Sequence, residues 1–242
     1  MQKESRKVRE FRRREQEILD SALRLFLEQG EDSVTVEMIA DEVGIGKGTI
    51  YKHFKSKAEI YLRLMLDYER DLAELLHSKD IERNQEALSR EYFAFRMSDP
   101  ERYRLFDRLE EKVVKANQLP VMVEELHAIR GSNFNHLTGV IQTRIDDGKL
   151  EDVPAYFHYS AAWALVHGAM AMYHSPFWKD VIKDQEAYMQ FLMDIGVRMG
   201  NRSKRKKESE IADSASQKSC LTNGTYYRNS CSSKQLSQAY ST

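Results

Sequence analysis

Between Ile45 and Lys57 the chain carries Lys47, Lys52, Lys55 and Lys57 and no acidic residue. Thr49, Tyr51 and His53 are interleaved with these lysines and offer polar tips, while Gly46 and Gly48 remove side-chain bulk. Cations and hydrogen-bonding groups around an uncrowded backbone suit a polyanion, with phosphate contacts setting register and base contacts setting sequence choice. A second basic run lies near the start, with Arg6, Lys7, Arg9, Arg12, Arg13 and Arg14. Such a run can lie along phosphates or enter a narrow minor groove.

Other chemistries find less support. A Walker loop would need Gly at position 41 and Ser or Thr at 48, but Asp41 and Gly48 stand there, so nucleotide binding by Gly44–Thr49 is rejected. His127, His136, His158, His167 and His174 include no i, i+4 pair on one helix, and Cys220 and Cys231 have no partner at metal spacing. No nucleophile, base and orienting group fall at recognisable spacing. The expectation is a non-enzyme without metal or cofactor.

Positioning these residues falls to helices. Apolar residues recur at three and four, and no alternating pattern competes. The first helix is expected from about Arg12 to Gln29, with Ile18, Leu19, Ala22, Leu23, Phe26 and Leu27 on one stripe and Gly30 as its stop. Thr35 can cap a short second helix that Gly44 closes, and a tight turn leads into Lys47–Phe54, whose Ile50 and Phe54 share a face. This is a helix-turn-helix over 35–54. Ser56-Lys57-Ala58-Glu59 has the form of a capping box and opens a fourth helix to about His77. Helices are then expected over 81–97, 99–115, 120–147, 154–174 and 183–199, forming an all-α bundle.

Across the 242 residues the net charge is only -1, and 41% are hydrophobic with 10% aromatic, enough for a core. Residues 1–57 hold about 12 basic and 11 acidic side chains, 58–200 about 17 and 24, and 201–242 about 8 and 3. The last stretch is polar and rich in Ser, Asn, Gln and Lys, and is expected to be a disordered tail. No apolar leader opens the chain, and the mostly apolar run Ala161–Tyr173 falls short of the roughly 20 residues a membrane span needs. A cytoplasmic protein without membrane contact is expected.

The stretch Thr35-Val-Glu-Met-Ile-Ala-Asp-Glu-Val-Gly-Ile-Gly-Lys-Gly-Thr-Ile-Tyr-Lys-His-Phe54, followed by Lys55-Ser-Lys57-Ala-Glu-Ile60, resembles the DNA-binding signature of the tetracycline-repressor (TetR) family. The preceding Ile18–Phe26 and Gly30 resemble that family's first helix, and the likeness covers about residues 12–72. The resemblance implies a DNA-binding domain over 12–72 and a helical ligand-binding and dimerisation domain over 73–200. It further implies a homodimeric transcription regulator, usually a repressor, joined through its last two bundle helices and released from operator DNA by a small effector. By matching position, Lys47 and Thr49 reach bases or phosphates, Lys52 faces the groove, and Tyr51 and His53 hold phosphates. Thr35 and Lys57 pin the backbone on either side, with Gly46 and Gly48 giving close approach.

Aromatic residues of the bundle are candidates for lining an effector cavity, the usual location for such a site in a bundle. Phe93, Phe106, Phe134 and Trp163, with His127, His167 and Met170, form the candidate set for a small, largely apolar effector. A competing class is a non-specific or architectural nucleic-acid binder using the basic arm and tail, with a steep salt dependence and little sequence preference.

Overall fold

A computed structural model describes residues 5–78, 85–116 and 119–202, and these form an all-α fold whose one β-bridge pairs Leu150 with Asn201. In chain order the helices are α1 (Arg6–Gln29), α2 (Val36–Val43), α3 (Lys47–His53), α4 (Lys57–Leu76), α5 (Gln85–Met97), α6 (Pro100–Ala116), α7 (Pro120–Asp146), α8 (Ala155–His174), α9 (Pro176–Val181) and α10 (Gln185–Arg198).

Local chemistry explains most of the boundaries. Thr35 Oγ1 accepts from Met38 N–H at 3.2 Å and caps α2. Gly44, at φ 71°, ends that helix in the left-handed region that costs a side-chain-bearing residue energy. Ser56 Oγ accepts from Glu59 N–H at 3.2 Å, while the Glu59 carboxylate accepts from Lys55 N–H at 2.6 Å, one residue before the cap. The expected capping box is therefore present with a shifted return bond. Asp99 accepts from Arg102 N–H at 2.9 Å ahead of Pro100, as its spacing predicts.

Three boundaries differ from the sequence expectation. Helix α1 starts at Arg6 rather than near Arg12, capped by Ser5, so the basic arm is helical from there onward. No apolar stripe marks those first turns; the cap makes the start, and Arg13 and Arg14 both pair with Glu17, at 2.9 and 2.7 Å. Helix α9 was not expected, since six residues opened by Pro176 carry no readable period. Helix α10 begins at Gln185, two residues late, because the Asp184 carboxylate accepts from Ala187 N–H at 2.9 Å and sets the cap there. The expected start of α5 at residue 81 and the tail beyond Arg202 lie outside the described residues.

Two apolar clusters hold the fold. The first joins Ile18, Ala22 and Phe26 of α1, Ile39 of α2, and Ile50 and Phe54 around α3 to Ile60 and Leu64 of α4. It continues without a break into Leu105 and Leu109 of α6 and Leu126 of α7. The second cluster gathers Leu72 and Leu76 of α4 with Phe93, Leu137, Val166 and Met189 of the bundle. Helix α4 thus threads both. Among the described residues no helix is long and apolar enough to cross a membrane.

Candidate nucleic-acid interface and bundle cavity

Burial of Ile50 and Phe54, 1% and 2% exposed, fixes which way α3 faces. Lys47, Gly48, Tyr51 and Lys52 are consequently exposed together on its opposite side, and Thr49 is half-buried beside them. Lys47 Nζ lies 5.9 Å from the Tyr51 ring centroid and pairs with Glu37 of α2. A Cβ added at Gly46 or Gly48 would meet nothing within 4 Å, so the backbone there is open to an approaching partner. Thr35 is exposed at the start of α2.

Two of the expected contact residues face the protein instead. Lys57 Nζ donates to the carbonyls of Glu31 and Val34, both at 2.9 Å, and burial lowers its pKa. The turn between α1 and α2 leaves those carbonyls without helical partners, and Lys57 satisfies them. The His53 ring stacks on Phe11 at 4.1 Å, its Nδ1 is buried without a hydrogen-bond partner, and burial lowers its pKa.

Sequence reasoning missed an ionic clamp on the same turn. Glu31, 4% exposed, accepts from Arg108 Nε at 3.1 Å and Nη2 at 3.0 Å and from Lys112 Nζ at 2.9 Å. Its backbone carbonyl also accepts from Tyr61 Oη at 3.0 Å. Hydrogen bonding from Arg108 holds the Glu31 carboxyl down to about 2, against the opposing effect of burial. No local pattern could have revealed partners 77 and 81 residues away.

Inside the bundle lies a cavity of about 280 Å³ between α4, α5, α6, α7 and α8. Phe106, Trp163 and His167 of the candidate set line it. Met170 lies with His167 along an adjoining opening. Phe134 packs edge-on against Tyr159, which lines the cavity, at 5.0 Å. Phe93 is in the second core cluster, 2% exposed, and His127 is exposed on α7; neither lines the cavity.

The cavity is more polar than the aromatic pattern suggested. Glu69, 3% exposed, receives Arg96 Nη1 and Nη2 at 3.2 and 3.1 Å and Arg130 Nε at 3.3 Å. Arg130 also pairs with Glu110 at 2.7 Å. Burial disfavours the Arg96 charge, yet Glu69 together with Tyr92 and Tyr68 outweighs it and raises the pKa. Tyr103 Oη lies 2.6 Å from His167 Nδ1, and burial raises the phenol pKa. The hydroxyl keeps its proton, and on the other side of the imidazole His167 Nε2 lies 3.7 Å from Asp107. Trp163 stacks on the same imidazole at 3.7 Å.

Comparison with known proteins bears on this arrangement. Residues 18–64 match the bacterial regulatory proteins of the tetR family. The chain is 42% identical over 60 residues to the HTH-type transcriptional regulator AcrR of Shigella flexneri, a stretch covering 25% of this chain and 28% of that protein. It thus spans about a quarter of the length of the curated relatives it matches. A bacterial regulatory protein in the tetR family from Rhodococcus RHA1 superposes with a TM-score of 0.60 at 15% identity, over 78% of this chain and 98% of that one. A transcriptional regulator from Saccharomonospora viridis, solved in complex with choline, gives 0.55 at 21% identity, over 79% and 99%. These likenesses establish a shared fold across the helical part. Residues 18–64 thus resemble the tetR family of bacterial regulatory proteins, and the described helices share the fold of solved proteins of that family.

Proposed function

We propose that the protein is a sequence-specific, homodimeric transcription regulator whose hold on operator DNA is released by a small molecule bound in the helical bundle. One observation carries the reading: Lys47, Gly48, Tyr51 and Lys52 stand exposed on one side of α3, whose other side is locked into the core. An α-helix presenting cations and hydroxyls in this way fits the major groove, with Thr35, exposed at the start of α2, proposed for a flanking phosphate.

The homodimer rests on α8 and α10. Helix α8 exposes Phe157, Ala164, Gly168 and Ala171 at helical spacing although it also buries Val166 and Met170, and α10 exposes Phe191 and Ile195. Helices that are apolar on both flanks are covered on both flanks, here by a second copy. The two copies of α3 then need a separation of roughly 34–36 Å to enter successive major grooves. Effector release rests on the cavity, because a ligand that prefers the conformer unable to bind DNA weakens DNA binding by linkage.

The test is binding to the DNA upstream of the protein's own gene against a scrambled duplex, in about 150 mM salt to suppress counterion-driven binding. Selectivity of about 10³ or more supports the reading. A Lys47→Ala, Thr49→Ala double variant is expected to lose the footprint while keeping its helical content. Equal binding of both duplexes, abolished by removing residues 1–11 and 201–242, would establish the non-specific binder instead.

A further inference from the structure

The chemistry of the effector can be read from what the cavity wall leaves unmatched, an inference that rests on the bundle cavity being the effector site. Both guanidinium groups are already committed. Arg96 uses Nη1 and Nη2 on Glu69, and Arg130 uses Nε on Glu69 and Nη1 on Glu110. Two cations face two carboxylates, so this part of the wall offers no free positive charge. Asp107 remains, with a carboxylate 65% exposed whose ionic neighbour among the described residues is His167 at 3.7 Å.

A second, independent observation is Asn133. This cavity-lining residue is 4% exposed, and its Nδ2 donates to the Glu69 carbonyl at 3.1 Å and carboxylate at 3.4 Å. Those two bonds fix the orientation of the amide. Its Oδ1 is buried with no partner, a situation that native structures resolve with a donor from outside the chain.

The unmatched groups thus include a buried acceptor and one negative charge. A carboxylate or phosphate would meet this part of the wall with no unpaired counter-charge. An ammonium group has N–H donors for Asn133 and a charge for Asp107, and the aromatic side chains of Tyr103, Phe106 and Trp163 in the wall can bury an apolar body. We infer that the cavity takes a protonated organic amine carried on an aromatic or alicyclic body small enough for about 280 Å³, its N–H reaching Asn133 and its charge facing Asp107.

Equilibrium dialysis of the full chain against three probes of equal shape tests this: phenethylamine, 2-phenylethanol and 3-phenylpropionate at neutral pH. Phenethylamine is expected to bind at least about ten-fold more tightly than either of the others. Asp107→Asn, at an exposed position that folding does not need, should remove most of that advantage and leave 2-phenylethanol unchanged. Equal binding of the three probes, preference for 3-phenylpropionate, or no phenethylamine binding at millimolar concentration overturns the inference. Operator selection by the same preparation is read separately: a protein that selects its operator but ignores the amine refutes the effector class alone, whereas one that binds the amine and selects no DNA refutes the regulator reading.

Discussion

Arg108 grips the Glu31 carboxylate with two of its nitrogens, Nε at 3.1 Å and Nη2 at 3.0 Å, and so fastens the α1–α2 turn to α6. Helix α6 also supplies Tyr103, Phe106 and Asp107 to the cavity wall. One helix therefore touches the cavity on one side and the helix-turn-helix unit on another.

Loss of the Glu31 charge should weaken the fold. Glu31→Gln removes charge-assisted bonds from Arg108 and Lys112, and hydrogen bonds to charged groups contribute roughly 1.5–3 kcal/mol. The folded-state pKa is depressed from 4.5 to about 2, so the contribution is complete above the ordinary value and is lost as pH falls toward the depressed one. Urea midpoints of wild type and variant should converge over that window. A gap independent of pH would show that the charge is not what matters.

His53 governs a different window. Burial against Phe11 lowers its pKa below the ordinary 6.5, so stability is present above that value and falls as the ring is forced to protonate. His53→Phe keeps the stacking and removes the titration. Wild type should lose more stability than this variant between neutrality and mild acid, measured by thermal denaturation at a series of pH values.

Gly196 is a packing requirement. A Cβ built there would clash with the Phe93 ring, and Phe93 is itself 2% exposed with little room to swing aside. Gly196→Ala is expected to cost about 1–3 kcal/mol, as overpacked cores do, despite the better helix propensity of Ala. A melting temperature at or above wild type would mean that the α5–α10 contact yields.

Phe191 separates folding from assembly. Its ring is 53% exposed, so Phe191→Lys should leave the helical content intact. If α8 and α10 form the dimer face, the variant should sediment as a 28.3 kDa chain while wild type sediments as about twice that mass. A variant of unchanged mass would move the interface elsewhere.

The helix-turn-helix was legible because its determinants act over four residues or fewer: Thr35 on Met38, Gly44 on Ala40, Ser56 on Glu59. Buried ion clusters were not. Glu69 meets Arg96 across 27 residues and Arg130 across 61, and in sequence each reads as one more charge on a solvated face. The aromatic candidates divided for a similar reason. Phe93 and Phe106 are both buried in apolar clusters, and only tertiary packing decides that Phe106 also lines the cavity while Phe93 packs against α10. Lys57 and His53 shared the chemistry of their exposed neighbours, but the unsatisfied carbonyls and the Phe11 ring that draw them inward come from other elements.

The early start of α1 has a thermodynamic consequence. Because Ser5 caps the helix and Phe11 braces it on His53, Arg6, Lys7 and Arg9 are held on an ordered rod before any partner arrives. An arm that folded on contact would add a large negative heat capacity change to association, whereas a preformed one contributes only the area it covers. The temperature dependence of the binding enthalpy should therefore be that of rigid surfaces meeting, with the ordering entropy of those first turns already met in the free protein.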